Sequence, residues 1–415
     1  MLLISGMLLI IEATKQAIIT AKSEINSMFK SKTVLLQMQS LISGYDFKKL
    51  VIEHNGDKSV KSFTTRNLLN VMIYVQMTSK QSLRDIVDSL SSKRNLWYHL
   101  GLKSLSRNNL SHALKQRSSD IFEKTFYVLF YQLRNERGLV KDKRFKFKMP
   151  VKTFDSTTIS LCLSLFDWAT FRKKKGGIKL HTMFNNMEQI PEFVNMTEAG
   201  RHDVSEAYKF PITSNSIYVF DKGYICFKFL EKIRKNKAFF VTRTKTNTSY
   251  RIIKRQQKTQ SCIKADWIVE FKSYKSKDYP EKLRVVRYYD KETKKTYEFM
   301  SNNFNLSAKT IADIYKSRWD IELFFKWIKQ NLKVKTFIGT SENAVKIQIW
   351  TAMIAYLLTE YIRFRSKTSF TILKTFRVLS ENILCNADIY ELLMERKPPS
   401  RNKIKNCDLQ LVLSF

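Results

Sequence analysis

Three acidic residues stand where a chain could use them on a phosphodiester. Asp155 follows the β-like run VKTF, Asp221 follows IYVF, and Glu322 lies inside Ile311–Lys329, IADIYKSRWDIELFFKWIK. That last stretch lacks Gly and Pro and reads as one helix. At about 100° per residue, Tyr315, Arg318, Glu322, Lys326 and Lys329 share a face, with Trp319 and Phe325 flanking it. Ile321, Phe324, Trp327 and Ile328 cover much of the rest, so the helix is expected to be mostly buried. Burying such a line of charges is costly unless they pair or bind something. A carboxylate on a metal ion, flanked by cations on phosphates, satisfies all of them. The plainer alternative is an ion-pair ladder, Arg318 with Glu322 and Glu322 with Lys326. For Asp155 and Asp221 the plainer alternative is the capping of a turn or helix. Three carboxylates suit Mg²⁺ or Mn²⁺, hard cations that take oxygen ligands. Two such ions about 4 Å apart activate a water or a 3′-hydroxyl and stabilise the leaving oxygen. The five histidines are dispersed, so no His cluster shares this work.

Composition narrows the partner. Of 415 residues, 73 are Lys or Arg and 37 are Asp or Glu, a net charge of +36 spread through every segment. That excess calls for a polyanion, nucleic acid above all, bound in grooves whose affinity falls with salt. No basic amphipathic helix favours a lipid surface instead. Hydrophobic residues at 44% and aromatics at 13% make a globular chain of two or three domains. No GxxxxGK[ST] loop occurs, which argues against a nucleotide-driven motor. Cys162, Cys226, Cys262, Cys385 and Cys407 show no C-x-x-C spacing, and fit a reducing, cytoplasmic setting rather than a zinc site or disulfide framework. The apolar start MLLISGMLLIIEA lacks a basic flank and is read as neither signal nor span; translation starting at Met28 would make residues 1–27 an upstream extension. Ile349–Leu358 is too short to cross a bilayer and reads as core helix.

The positioning elements follow in order. Residues 35–140 read as helices, with caps at Thr64 or Thr65, Ser82 and Ser106. The Ser106 helix is expected to run through Leu133. Its early turns carry Arg107, Asn108, Asn109, His112, Lys115 and Arg117, a set suited to the major groove; a solvated basic face is the alternative. The basic run 141–149 before Pro150 reads as a linker. VKTFDSTTISLCLS is expected as strand, turn, strand; Gly176 and Gly177 as a turn before the strand IKLHTMF; residues 214–245 as strand, helix, strand. Residues 244–299 read as a small antiparallel β region, Ser341 or Glu342 as the start of a central apolar helix, and 370–415 as a last helix or two.

On these motifs the chain resembles bacterial DDE transposases of insertion-sequence family four, over roughly residues 40–395. Tyr315, Arg318, Glu322 and Lys329 match that family's Y-x2-R-x3-E-x6-K signature. FDSTTI around Asp155 and VFDKGY around Asp221 match its other two catalytic blocks. GGIKLH, with Lys179 and His181, matches a recurring block without an assigned role, and FFVTRTK carries Arg243. LVIEHNGDK, FTTRNLL, SLRDI and WYHLGLKSLSRNNLS resemble the N-terminal domain of a subset of these enzymes.

The resemblance implies an α/β fold: a ribonuclease H-like core (141–243 and 300–370), a β-rich insertion (244–299), an α-helical DNA-binding domain (35–140), an extension (1–34) and a C-terminal helical region (371–415). It implies Asp155, Asp221 and Glu322 as catalytic ligands of two Mg²⁺ or Mn²⁺ ions, and Tyr315, Arg318, Lys329 and Arg243 as DNA contacts. Trp267 is a candidate partner for a base flipped from a hairpin end, a buried core Trp being the alternative. The implied partners are inverted-repeat ends and target DNA in double-stranded form, bound by a homodimer in the nucleoid, with no membrane. The rivals are a DNA-binding protein that has lost catalysis and a nuclease on the same core.

Overall fold

The structure, a computed structural model, describes residues 32–98, 100–138, 144–162, 166, 168, 170–172, 175–245, 248–257, 260–272, 277–332 and 336–394. It divides into two compact units, one of residues 42–357 and one of 1–41 with 358–415. The apolar N-terminal run and the polar end at Lys397–Pro399 lie outside the described residues.

The larger unit opens with helices whose starts are written in the sequence. α1 (Gly44–Glu53) is capped by Ser43, α2 (Thr65–Thr78) by Thr64, α3 (Leu83–Ser91) by Ser82 and α4 (Arg107–Gln116) by Ser106. Each cap hydroxyl accepts an N–H that the first turn cannot satisfy within the helix. At Thr64 the arrangement is reciprocal, with the Asn67 side chain accepting from the Thr64 backbone. The expected long helix from Ser106 is in fact two. Arg117 adopts extended backbone (ψ 132°), and Ser118 caps α5 (Ser119–Arg137). The Arg117 guanidinium donates to the Phe63 carbonyl at 3.2 Å, which ties the break to the loop before α2.

Beyond Pro150 the chain builds a ten-stranded sheet. Its strands are β1 (Val151–Leu161), β2 (Thr170–Arg172), β3 (Lys175–Asn185), β4 (Ile190–Glu198), β5 (Ile217–Phe220), β6 (Phe239–Arg243), β7 (Tyr250–Arg255), β8 (Ile263–Phe271), β9 (Leu283–Asp290) and β10 (Lys295–Ser301). Strands β1, β5 and β6 are parallel neighbours, and β3 and β4 extend the β1 side antiparallel. On the other side β10, β9, β8 and β7 form a meander, joined to β6 through β10. The antiparallel region expected over 244–299 is therefore continuous with the same sheet.

Two local readings need correction here. VKTFDSTTIS contains no turn: β1 runs through it in an unbroken register with β3, from Lys152↔Asn185 to Leu161↔Gly176. Gly176 and Gly177 likewise lie inside β3. A Cβ on Gly177 would stand 3.0 Å from the Ile159 carbonyl oxygen, so close approach of two strands, not a turn, explains that glycine.

Alternation along the central strands divides their side chains between two layers. Ile217 and Val219 of β5 join Val151 and Val241 against α8 (Ala308–Lys316), while Tyr218 and Phe220 join Phe154 against α7 (Phe227–Lys235). α6 (Asp203–Ala207) precedes β5. Phe154 stacks on Phe220, centroids 5.3 Å apart and planes within 4°. α9 (Trp319–Asn331) and α10 (Glu342–Arg365) follow, and the Ser341 hydroxyl accepts from the Ala344 N–H at 3.2 Å to start α10.

In the smaller unit, which also holds the helix Ile372–Glu381, the helix Val34–Ser40 is tied to the start of the helix Ile389–Leu393 by its buried Gln37. Its amide donates to the Ala387 carbonyl at 2.7 Å and accepts from the Ile389 N–H at 3.2 Å. Among the described residues no helix is long and apolar enough to cross a membrane.

Candidate functional site

Register alone brings two of the three acids together. The last parallel pair between β1 and β5 is Phe154↔Phe220, so Asp155 and Asp221 are the next residues on adjacent strands. β5 ends there because Asp221 caps the short turn Lys222–Tyr224, accepting from the Gly223 N–H at 3.3 Å. The capping alternative thus holds for Asp221, and it leaves the carboxylate beside Asp155. β1 continues past Asp155, whose Oδ1 accepts from the Ser156 N–H at 2.8 Å.

Glu322 arrives by a route that periodicity did not show. Ile311–Lys329 is not one helix; α8 ends at Lys316, and α9 starts at Trp319. Between them the bonds tighten to i→i+3: Arg318 N–H to Tyr315 carbonyl, Asp320 N–H to Ser317 carbonyl. The Ser317 hydroxyl donates to the Ile314 carbonyl at 2.7 Å. The Ser317 carbonyl accepts from the buried amide of Asn186 at 2.5 Å. Asn186 also donates to Asp320 Oδ2 at 3.1 Å and accepts from the Thr153 hydroxyl at 2.8 Å. Arg144 (2.8 Å) and Gln189 (3.1 Å) donate to the same Asp320 oxygen. The start of α9 is thereby fastened to β1 two residues before Asp155. Neither Asn186 nor Asp320 stood out in the sequence, since a polar residue beyond a strand or in a helix turn carries no periodic signal.

At this break Arg318 spans two acids. One guanidinium nitrogen lies 3.2 Å from Asp155 Oδ2 and the other pairs with Glu322. The Arg318–Glu322 rung of the expected ladder therefore forms, with Asp155 as a further partner from the sheet. Burial pushes the Asp155 carboxyl up to about 6, with the charges of Glu322 and Asp221 adding to the rise and the Ser156 N–H and Arg318 opposing it. The three acids are thus electrostatic neighbours. Among the described residues, no three of His, Cys, Asp and Glu stand close enough to hold one ion. The donor set itself, three carboxylates without sulfur or imidazole, has the hard-oxygen chemistry of a Mg²⁺ or Mn²⁺ site.

Beside the acids, Arg243, Tyr297, Tyr315, Lys316, Arg318 and Trp319 line part of a cavity of about 650 Å³. Three of the four residues expected to contact DNA, Arg243, Tyr315 and Arg318, meet there. The Arg243 guanidinium lies 4.9 Å from the Tyr297 ring centre. Burial pushes the Tyr315 phenol up to about 12. Lys329, half-buried, sits seven residues beyond Glu322 on α9, about 10 Å along the axis, and does not line this cavity. Ile321, Phe324, Trp327 and Ile328 are buried as expected, while the flanking Trp319 is 59% exposed. Trp267 is half-buried in β8, tilted against Tyr250 at 6.4 Å with Arg287 over its ring at 5.9 Å. On α4, Arg107, Asn108, His112 and Lys115 are exposed, whereas Arg117 is buried at the break and leaves the basic face.

The family described as Transposase DDE domain matches residues 146–358, and a domain of unknown function (DUF4372) matches residues 30–103. A putative transposase, y4zB, of Sinorhizobium fredii is 31% identical over 298 residues, covering 70% of this chain and 80% of its own length. The probable transposase for insertion sequence element IS5377 of Geobacillus stearothermophilus is 27% identical over 344 residues, 82% of this chain and 87% of its own. A solved structure of the piggyBac transposase synaptic complex with hairpin DNA covers 88% of this chain and 81% of its own at 11% identity, with a TM-score of 0.42.

Proposed function

The chain belongs to the Transposase DDE domain family, and we propose that it is a DNA transposase that cuts at the ends of an insertion sequence and joins them to target DNA. The observation that carries this reading is Arg318 held by both Asp155 and Glu322, with Asp221 next to Asp155 in register. We read the strand order β4-β3-β1-β5-β6 as a ribonuclease H-like core within 141–243 and 300–370. On this reading 244–299 is its insertion, 35–140 a DNA-binding domain, 371–415 a C-terminal helical region and 1–34 an extension.

DDE transposases use divalent metal ions, and Asp155, Asp221 and Glu322 are the residues that would hold them here, two Mg²⁺ or Mn²⁺ on our reading. When bound, such ions polarise the phosphodiester and lower the pKa of the attacking water or 3′-hydroxyl. The protein's own contribution is orientation. Arg318 offers a phosphate the forked donor that it now offers two carboxylates, so an entering DNA end can take over its hydrogen bonds. Tyr315 and Arg243 approach the same cavity, and Lys329 holds a flanking phosphate further along α9. The exposed Trp319 is better placed than Trp267 to stack on an unpaired base of a hairpin end. Joining two ends calls for a homodimer on DNA.

The DNA flanking the gene, searched for short inverted repeats, supplies the substrate for the test. Glu322→Gln is expected to abolish cleavage of that end in Mg²⁺ while leaving binding largely intact; nicking at the wild-type rate would overturn the assignment. A precut end separates transposase from nuclease, since only the former joins it to a target duplex.

A further inference from the structure

Lys179 and His181, the pair from GGIKLH, converge on one atom outside the triad. Lys179 Nζ lies 3.3 Å from Asp203 Oδ1, and His181 Nδ1 lies 3.6 Å from the same oxygen. The Ser156 hydroxyl donates to that oxygen at 2.7 Å. Ser156 and His181 are direct cross-strand partners on β1 and β3, which is why both reach one residue of α6. His181 is fully buried, and burial holds its ring neutral with a pKa lowered to about 4. Its other nitrogen meets the Thr197 hydroxyl at 2.9 Å. Lys179 is the cation that offsets the Asp203 charge, and it also donates to the Arg201 carbonyl at 2.9 Å.

From Asp203 the contacts lead directly to the site. Ser156, whose hydroxyl is held by Asp203, uses its backbone N–H to hold Asp155 Oδ1 at 2.8 Å. A second observation marks the same place. The Tyr224 phenol, on a residue 2% exposed, faces the Ser156 side chain, and burial followed by the charges of Asp203 and Asp155 drives its pKa well above the usual value. A carboxylate that must present its oxygens in one orientation depends on partners behind it that restrict its rotation.

We infer that Asp203 is a positioning residue, braced by Lys179 and packed beside His181, that acts through Ser156 to fix the orientation of the Asp155 carboxylate for a divalent cation. The inference rests on the reading of Asp155 as a metal ligand. The test is Mn²⁺ binding to the metal-free full-length protein, followed by the EPR signal of free Mn²⁺, with melting temperature and metal-free binding to duplex DNA measured alongside. Asp203→Ala and Ser156→Ala should each weaken Mn²⁺ binding about tenfold, without altering DNA binding. Asp203→Asn, whose amide oxygen still accepts from Ser156, should stay closer to wild type than to Asp203→Ala. If Asp203→Ala fails to fold, Ser156→Ala decides, because it removes the same bond and leaves Asp203 paired with Lys179. Wild-type Mn²⁺ binding in Ser156→Ala, or equal loss in Asp203→Asn and Asp203→Ala, overturns the inference. Asp155→Asn is the control: if it too binds Mn²⁺ as wild type does, the reading of the site falls as well, and the two failures are told apart.

Discussion

Asp155→Asn in the metal-free protein should stabilise the fold, and by an amount that depends on pH. The Asp155 carboxyl titrates near 6 in the folded chain against an ordinary value of 3.8, chiefly through burial, with Glu322 and Asp221 adding to the rise. A raised folded pKa means that the native state holds its proton more tightly than the unfolded chain. The contribution of this group to stability is therefore fully present below pH 3.8 and is lost as pH rises through 6. The gap of about 2 pH units corresponds to about 3 kcal/mol at 1.36 kcal/mol per unit. Asparagine keeps the shape and an acceptor for the Ser156 N–H without the charge, though it weakens the contact with Arg318. The expected gain is accordingly about 1–3 kcal/mol at pH 8, shrinking toward zero near pH 4. Urea unfolding in EDTA at the two pH values measures it. A variant no more stable than wild type at pH 8, or equally favoured at both pH values, would refute the reasoning, since burial and like charge would then not be what the carboxylate suffers.

Other consequences follow from the same contacts. Asn186→Ala leaves the Ser317 carbonyl and the buried Thr153 hydroxyl without their partner, and should cost about 2–4 kcal/mol in urea unfolding; a loss under about 1 kcal/mol would mean that the α8–α9 break holds itself. Arg284 is buried against Asp266 and donates to the Leu306 carbonyl at 2.5 Å just before α8, so Arg284→Met should cost about 3–5 kcal/mol by stranding a buried carboxylate; thermal melting indistinguishable from wild type would contradict this. Arg318→Ala should weaken end binding and reduce the slope of log affinity against log salt by about 1; an unchanged slope in a filter-binding series would make Arg318 a purely internal ion-pair partner.

Much of the local structure was legible in the residues themselves, because it is decided within a few positions of chain. Ser82, Ser106 and Thr64 cap helices as their spacing implied, and the strand–helix–strand unit through Asp221 is where alternation placed it. The absence of Gly and Pro over Ile311–Lys329 likewise marked the helical segment that carries Glu322. What the chain alone did not reveal depends on partners distant in sequence. No local feature announces that Phe154 pairs with Phe220 and so sets Asp155 beside Asp221, because strand register is fixed by the fit of whole strands across the sheet. Helical periodicity ran straight through Ser317 because each residue there tolerates helical backbone. The break is held by an amide 131 residues earlier, Asn186, which takes the Ser317 carbonyl. Residue types thus determined which groups could bind a cation and a phosphate. Long-range hydrogen bonding decided that Arg318 would meet Asp155 and Glu322 together, since a buried polar group is satisfied by whichever partner the tertiary fold delivers.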